Sequence, residues 1–283
     1  MKETLPNYSV LMSVYYKENP DWLKESINSI LNQTVLTNDF VIVKDGKLNK
    51  ELDEVISEYC KKYPDIFHVI ELEENLGLGP ALAIGLENCK NELVARMDSD
   101  DISVENRCQK QLKLFTDKPE LDIIGSYHTE FMNDISNVIS TKILPETNIE
   151  IKKYAKKRNP FSHSVVMFKK SKVLQAGNYR KYHLCEDYDM WTRMIQLGCQ
   201  CYNIQEVLSY VRVGDDLYKR RGGIKYLKSI IKFKYEQYKI GFYSLKDFII
   251  SSIPHIIICL MPNFIRKTFY ENILRGGKNA RKN

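Results

Sequence analysis

The strongest constraint in this chain is the regular alternation of short apolar runs with helix-period segments over its first hundred residues. Ser9 to Val14, Phe40 to Val43, Phe67 to Leu72 and Leu93 to Met97 have the length and composition of buried strands. Between the first and second runs, Leu23, Ile27, Ile30 and Leu31 recur at helical spacing, behind an N-cap at Asn19 and a proline at the first helical position, Pro20. Leu52, Val55, Ile56 and Tyr59 mark a second helix, and a third opens at Pro80. The order β-α-β-α-β-α-β predicts an α/β fold with a Rossmann-like, mostly parallel sheet and helices on both faces.

In such a sheet, ligands bind beyond the carboxyl ends of the strands. The polar motifs of this half fall there. Tyr15 to Glu18 follow the first strand, Lys44-Asp45-Gly46 the second, Asn75 the third and Asp98-Ser99-Asp100-Asp101 the fourth. Three carboxylates in four residues repel one another unless a cation sits among them. Mg²⁺ or Mn²⁺ takes one or two carboxylates and completes its shell with phosphate and water oxygens. A solvated capping turn would use the same residue types, so it is the position at a strand end that favours a metal and nucleotide site. Asn75-Leu76-Gly77-Leu78-Gly79 lies where the chain could approach a ligand closely. It is a poor dinucleotide fingerprint, because it follows the third strand and its glycines are wrongly spaced.

Further on, Leu121 to Gly125 and Val165 to Phe168 read as strands and Ile149 to Lys157 as a helix. A strongly amphipathic helix starts at Glu186, runs through Met190, Trp191, Met194 and Ile195, and is ended by Gly198. Its first turn holds Glu186, Asp187 and Asp189, more acid than dipole complementarity needs. A carboxylate fixed there can take a proton from an attacking hydroxyl. Trp191 is core or a platform for a sugar ring. His163 is a hydrogen-bonded structural residue or part of an acceptor site.

Taken together, Ser9 to Tyr15, Val41 to Gly46, Ala95 to Asp101 and Glu186 to Trp191 resemble the family 2 glycosyltransferases of GT-A fold, of the kind that build bacterial capsule, exopolysaccharide and O-antigen. The likeness spans about Tyr8 to Val211. It implies that Val14, Tyr15, Glu18, Asn75 and Arg96 border a nucleotide sugar and that Asp45 bonds the base. It places Asp98 at the ribose and, with Asp100, at a Mn²⁺ or Mg²⁺ ion, and makes Asp187 the base of an inverting transfer. His163, Glu186 and Trp191 fall on the acceptor side. The implied donor is a nucleoside-diphosphate sugar, with UDP expected; the acceptor is a glycan or a polyprenyl-diphosphate-linked sugar. The chain departs from the family pattern at Ser13, Tyr16, Lys44 and Ala83, and Lys44 bears on the base and phosphate contacts. The Gln-x-x-Arg-Trp motif of processive synthases is missing, and Tyr218 to Gly223 does not replace it, so one sugar per acceptor is expected. A sugar-1-phosphate nucleotidyltransferase would need a glycine-rich loop after the first strand. A non-catalytic nucleotide- or glycan-binding protein would not need both Asp100 and Asp187.

Charge divides the chain. Residues 212–283 carry 16 Lys+Arg against 5 Asp+Glu, whereas residues 1–211 carry 26 against 31. This suggests a catalytic domain over 1–211, with a nucleotide-sugar half to about residue 101 and an acceptor half over 102–211, followed by a basic, aromatic-rich helical extension over 212–283. Ile224, Leu227, Ile231, Tyr235 and Tyr238 share a helical face flanked by Lys225, Lys228, Lys232 and Lys239. That pattern suits an anionic membrane surface, with Phe248 to Met261 dipping into the interface and Arg266, Lys267 and Arg275 at head groups. A helix packed on the catalytic domain would show a similar pattern. No nucleic-acid module is recognisable. The seven cysteines are odd in number and form no CxxC pair, as expected of reduced thiols. Without a leader-like apolar run at the start, the expected location is cytoplasmic, peripheral on the inner face of the cell membrane.

Overall fold

The computed structural model describes residues 5–214, 222–262, 265 and 266. Tyr218 to Arg221, Lys267 and Arg275, singled out above, lie outside the described residues.

The parallel half forms as the sequence predicts. Strands β1 (Tyr8–Val14), β2 (Asp39–Lys44), β3 (Phe67–Glu71) and β4 (Leu93–Arg96) alternate with helices α1 (Pro20–Leu31), α2 (Lys50–Lys62) and α3 (Leu78–Asn88). Asn19 caps α1, its side chain accepting from the amides of Asp21 and Trp22. Helix α3 starts two residues before the expected Pro80, with Gly77 as N-cap. A proline is tolerated there because the first-turn amides have no helical partner to lose.

In the sheet, β3, β2, β1 and β4 lie side by side and parallel. The chain therefore steps outward from β1 to β3, then returns past β1 to place β4 on its other side. That reversal opens a crevice beyond the carboxyl ends of β1 and β4. Residues of β1 alternate between two cores: Val10, Met12 and Val14 pack with α1 and α2, and Leu11 packs with α3 and a later helix. Burial on both faces explains why β1, β2 and β4 read as apolar runs, whereas the edge strand β3 is only partly buried.

The second half is mixed. After β5 (Ile102–Ser103) and α4 (Arg107–Asp117) come the long β6 (Leu121–Met132) and β7 (Asp134–Lys142), then α5 (Asn148–Ala155), a short 3₁₀ turn at His163–Val165 and β8 (Met167–Lys169). Strand β8 is antiparallel to both β4 and β6, and β9 (Gln200–Arg212) runs parallel to β6. Helix α6 (Lys170–Gln175) and helix α7 (Glu186–Gln196) complete this half. Gly198 ends α7 with a positive φ of 86°, the left-handed conformation a glycine adopts without a Cβ penalty.

Helices α8 (Gly223–Lys239) and α9 (Leu245–Leu260) form a hairpin docked on α7. Ile230 and Phe233 of α8 pack on Cys185 and Tyr188, with the Phe233 and Tyr188 rings 4.5 Å apart. The Tyr188 hydroxyl donates to the carbonyl of Ala155 at 2.6 Å and lies 2.9 Å from that of Tyr243. The buried face of α8 is Ile230, Phe233, Lys234 and Gln237. The stripe singled out in the sequence divides: Leu227 and Ile231 are partly buried against this contact, whereas Ile224, Tyr235 and Tyr238 are exposed. All seven cysteines are free.

Candidate active site

The crevice is assembled from strand ends. The amide of Asp45 donates to the carbonyl of Val14 at 2.8 Å, which fixes the end of β2 against that of β1. Val14 is fully buried, while Tyr15 and Glu18 in the following turn are half-buried at its surface. The carboxylate of Asp45 accepts the amide N–H of Leu76 at 2.7 Å and that of Gly77 at 3.1 Å. Asn75 reaches back with its side-chain amide to the carbonyl of Asp45 at 3.0 Å. Asp45 and Asn75 thus hold the 74–77 loop to the end of β2. Gly46 is required between them. Its φ is +80°, and a Cβ there would come within 2.7 Å of the Asn75 nitrogen. Lys44 points the other way, as alternation along a strand demands. Its ammonium bridges Asp53 at 2.7 Å and Glu71 at 2.5 Å, so this departure from the family pattern falls outside the crevice.

Arg96 ends β4 in full burial, with its guanidinium paired to the Asp98 carboxylate. Three side chains anchor the acidic loop that follows. Ser26 of α1 donates to the carbonyl of Asp98 at 2.7 Å, and buried Arg107 donates to that of Arg96 at 2.8 Å. Arg212, at the end of β9, donates from Nε to the carbonyl of Asp100 at 3.0 Å and from its amide to Asp101 Oδ1 at 2.9 Å. Its guanidinium lies over the rings of Trp22 and Phe131, at 4.8 and 4.6 Å, and pairs with Glu25 at 2.5 Å. The loop separates its acids. Asp98 and Asp100 are half-buried at the crevice, whereas Asp101 is buried. Burial and the charges of Asp100 and Asp98 push the Asp101 carboxyl well above the usual range.

Opposite this loop stands the first turn of α7. Asp187 accepts from the side-chain amide of Asn159 at 2.6 Å and from the amide of Tyr188 at 2.7 Å. Burial pushes its carboxyl up, against the pull of these two hydrogen bonds and of the Lys142 and Arg96 charges. Glu186 is buried and its Oε2 has no protein partner. Burial first, and the Asp187 charge second, push the Glu186 carboxyl up to about 7. This turn is packed tightly on the start of α3: a Cβ on Gly79 would meet the Arg180 carbonyl oxygen at 2.3 Å and the Glu186 Cβ at 3.3 Å. Asp189 points into the protein and forms a buried ion pair with Arg193 at 2.7 Å. The three acids of this turn therefore divide into one structural group and two that face the crevice.

His163 lies 3.0 Å from the Tyr179 hydroxyl through Nε2. Burial, with the Arg96 charge, holds its imidazole well below its ordinary range and so uncharged at neutral pH. Trp191 is wholly enclosed by Phe161, Phe168 and His163. It offers no face to a sugar ring, and the platform role weighed above gives way to a core role behind His163.

Asp98, Glu186, Asp187 and His163 all lie within electrostatic reach of Arg96. Val14, Tyr15, Glu18, Asp45 and Asn75 line the adjoining strand ends. The sequence reading did not find Asn159, Arg107 and Arg212. Each acts across a wide chain separation, and no local pattern marks them. Among the described residues no group of three or more His, Cys, Asp and Glu is gathered to hold a metal by itself. Asp98 and Asp100 are carboxylate donors of the kind Mg²⁺ or Mn²⁺ shares with phosphate and water, and the charge that burdens Asp101 is what a divalent ion there would relieve.

A family model described as glycosyl transferase family 2 matches residues 9–176. The chain is 39% identical over 275 residues to an Escherichia coli protein named UDP-Gal:alpha-D-GlcNAc-diphosphoundecaprenol beta-1,3-galactosyltransferase, covering 97% of this chain and 99% of that one. It is 38% identical to the Erwinia amylovora amylovoran biosynthesis glycosyltransferase AmsE, over 80% of this chain and 83% of that one. Among solved structures it superposes on S. aureus TarS 1–349 in complex with UDP-GlcNAc, with a TM-score of 0.67 at 15% identity over 94% of this chain and 75% of that one. It also superposes on the mannosyltransferase PcManGT of Pyrobaculum calidifontis in complex with GDP-Man and Mn²⁺, with a TM-score of 0.64 at 13% identity over 94% and 73%. At these identities the two structures establish the GT-A fold alone.

Proposed function

The chain belongs to glycosyl transferase family 2, and from that premise we propose that it is an inverting, non-processive enzyme moving one sugar from a UDP-sugar to a lipid-linked glycan. The observation that carries this reading is the shared position of Arg96. Its guanidinium pairs with Asp98 on the nucleotide side, and its charge is felt by Glu186 and Asp187 on the other side. One cleft therefore holds both a diphosphate-side acid cluster and a candidate base.

In this reading the turn after β1, Asp45 and Asn75 cradle the nucleoside, and Asp98 and Asp100 are the residues that would hold a divalent ion. When bound, that ion offsets the charge of the departing nucleoside diphosphate. The remaining work falls to the chain's own residues. Asp187, oriented by Asn159 and the Tyr188 amide, accepts the proton of the acceptor hydroxyl. The freed oxygen forms a bond to the anomeric carbon from the face opposite the diphosphate. The bond from that carbon to the phosphate oxygen breaks, and its electron pair leaves on the diphosphate. A carboxylate raised above its ordinary basicity by burial suits that proton transfer. The absence of a glycine-rich loop between β1 and α1, where Tyr15 to Glu18 stand, disfavours a nucleotidyltransferase.

The name of the Escherichia coli relative makes UDP-galactose and a diphosphoundecaprenol-linked GlcNAc the first donor and acceptor to try. Nucleotide sugars and such acceptors meet at the cytoplasmic face of a membrane, where a peripheral enzyme would work. No helix of the described residues is long and apolar enough to cross a bilayer. The test is titration of UDP into the protein with and without Mn²⁺, repeated on Asp100→Ala, followed by analysis of the product's anomeric configuration. Tight binding that needs both metal and Asp100, with inversion, is expected. Metal-independent binding would remove the role of the acidic loop, and retention would remove that of Asp187.

A further inference from the structure

Helix α9 is built inside out. Its sixteen residues turn Ser251, Ser252 and Cys259 toward the protein. Leu245, Ile249, Ile253, Ile256, Ile257 and Leu260 face outward, with exposures from 37% at Ile256 to 63% at Leu260. These positions recur at helical spacing and form one continuous ridge. A contiguous aliphatic ridge of this kind marks a surface that meets something apolar.

The orientation is fixed from the inside. Buried Lys234 of α8 donates to the carbonyl of Ser251 and lies 3.0 Å from His255 Nδ1. Rotating α9 to hide its isoleucines would strand that lysine against a hydrocarbon face, at the cost of an unpaired buried amine. The hairpin that carries the ridge is rich in exposed lysine. Lys225, Lys228, Lys232, Lys239 and Lys246 are all exposed, and from residue 212 onward the sequence holds 16 Lys+Arg against 5 Asp+Glu. The exposed rings of Tyr235 and Tyr238 sit beside Phe248 at 6.3 and 5.9 Å, and amphipathic aromatics of this type favour the level of lipid head groups.

We propose that α9 lies flat in the interface of an anionic bilayer, with its isoleucine ridge at the acyl boundary and the lysines of the hairpin on head groups. At 1.5 Å per residue a helix of this length reaches about 24 Å, short of the roughly 30 Å of a hydrocarbon core, so it rests on the membrane and does not span it. The sequence suggests lipid contact both for the stripe of α8 and for Phe248 to Met261; the ridge falls on the second of these, and α8 joins it to the catalytic helix. Ile230 and Phe233 of α8 pack on Cys185 and Tyr188, which flank Glu186 and Asp187. Docking therefore fixes the height and tilt of the cleft above the lipid. That use of the surface rests on the lipid-linked acceptor proposed above.

The test is co-sedimentation of the full-length protein with phosphatidylcholine vesicles, with and without phosphatidylglycerol. Binding that needs the anionic lipid and falls about tenfold or more in Ile249→Ser/Ile253→Ser is expected, with UDP affinity unchanged. Ile253→Trp should add fluorescence that brominated acyl chains quench. Three results would overturn the proposal. Wild-type protein could ignore anionic vesicles, the double variant could bind them equally, or the wild type could form a lipid-independent dimer that the double variant loses. Vesicle binding without transfer to any lipid-linked sugar would leave the docking surface standing and overturn the acceptor reading instead.

Discussion

Replacing Glu186 with glutamine should make the protein more stable in alkaline solution, and the size of the gain follows from the site. The Glu186 carboxyl is buried, its Oε2 lacks a partner, and it titrates at about 7 instead of the ordinary 4.5. A folded-state value above the unfolded one means that the favourable contribution is fully present below the unfolded value. It is lost as pH rises through the folded one. Two to three units at about 1.4 kcal/mol each make the cost of ionising this group in the fold roughly 3 kcal/mol. Asp187 is pushed in the same direction by burial, so the two titrate as a pair and the removal of one charge relieves the other. Glutamine keeps the shape and never ionises. Urea unfolding followed by circular dichroism should therefore show the variant ahead by up to about 3 kcal/mol near pH 8.5. The gap should narrow as pH falls through 7 and close near the ordinary glutamate value. A gap independent of pH, or a variant weaker than wild type at alkaline pH, would refute the reasoning.

Two further substitutions probe the two sides of the cleft. Asp187→Asn removes the proton acceptor and should lower kcat by about 10²–10⁴ while leaving UDP affinity unchanged. A loss below about tenfold in single-turnover assays would assign the base elsewhere. Gly46→Ala forces a Cβ to within 2.7 Å of the Asn75 nitrogen at a φ of +80°. It should cost about 2 kcal/mol of stability and weaken UDP binding by displacing the 74–77 loop from Asp45. An unchanged urea midpoint together with unchanged titration would contradict that account.

The nucleotide half was legible because β1, β2 and β4 are buried on both faces and its helices carry local signals. The cap at Asn19 and the stop at Gly198 are chemistry written within a few residues of where it acts. The acids at strand ends were legible for the same reason. What escaped was long-range or internally polar. Helix α4 buries Arg107 and Gln111, so its inner face does not read as apolar, yet Arg107 satisfies the carbonyls of Arg96, Ser164 and Val166. Arg212 reaches Asp100 and Asp101 from more than a hundred residues away. Asn159, which orients Asp187, lies 28 residues before it with no spacing rule to connect them.

The C-terminal helices show a different limit. Periodicity reports that a helix has two unlike faces, but not which face meets the protein. In α8 the aliphatic-aromatic stripe divides, with Leu227 and Ile231 turned inward and Ile224, Tyr235 and Tyr238 outward, and the buried contact includes Lys234 and Gln237. Lysine is stable there because its ammonium meets the Ser251 carbonyl and His255, while burial lowers its ordinary basicity to about 7. A lysine that is easily neutralised loses much of the cost of burial. The polar faces of α8 and α9 can therefore turn toward each other and leave isoleucine outside. A pair of helices designed for water alone would bury the isoleucines and send the lysine out. The reverse arrangement is economical only if the outer face meets a medium less polar than water, and that is the physical content of assigning it to a lipid surface.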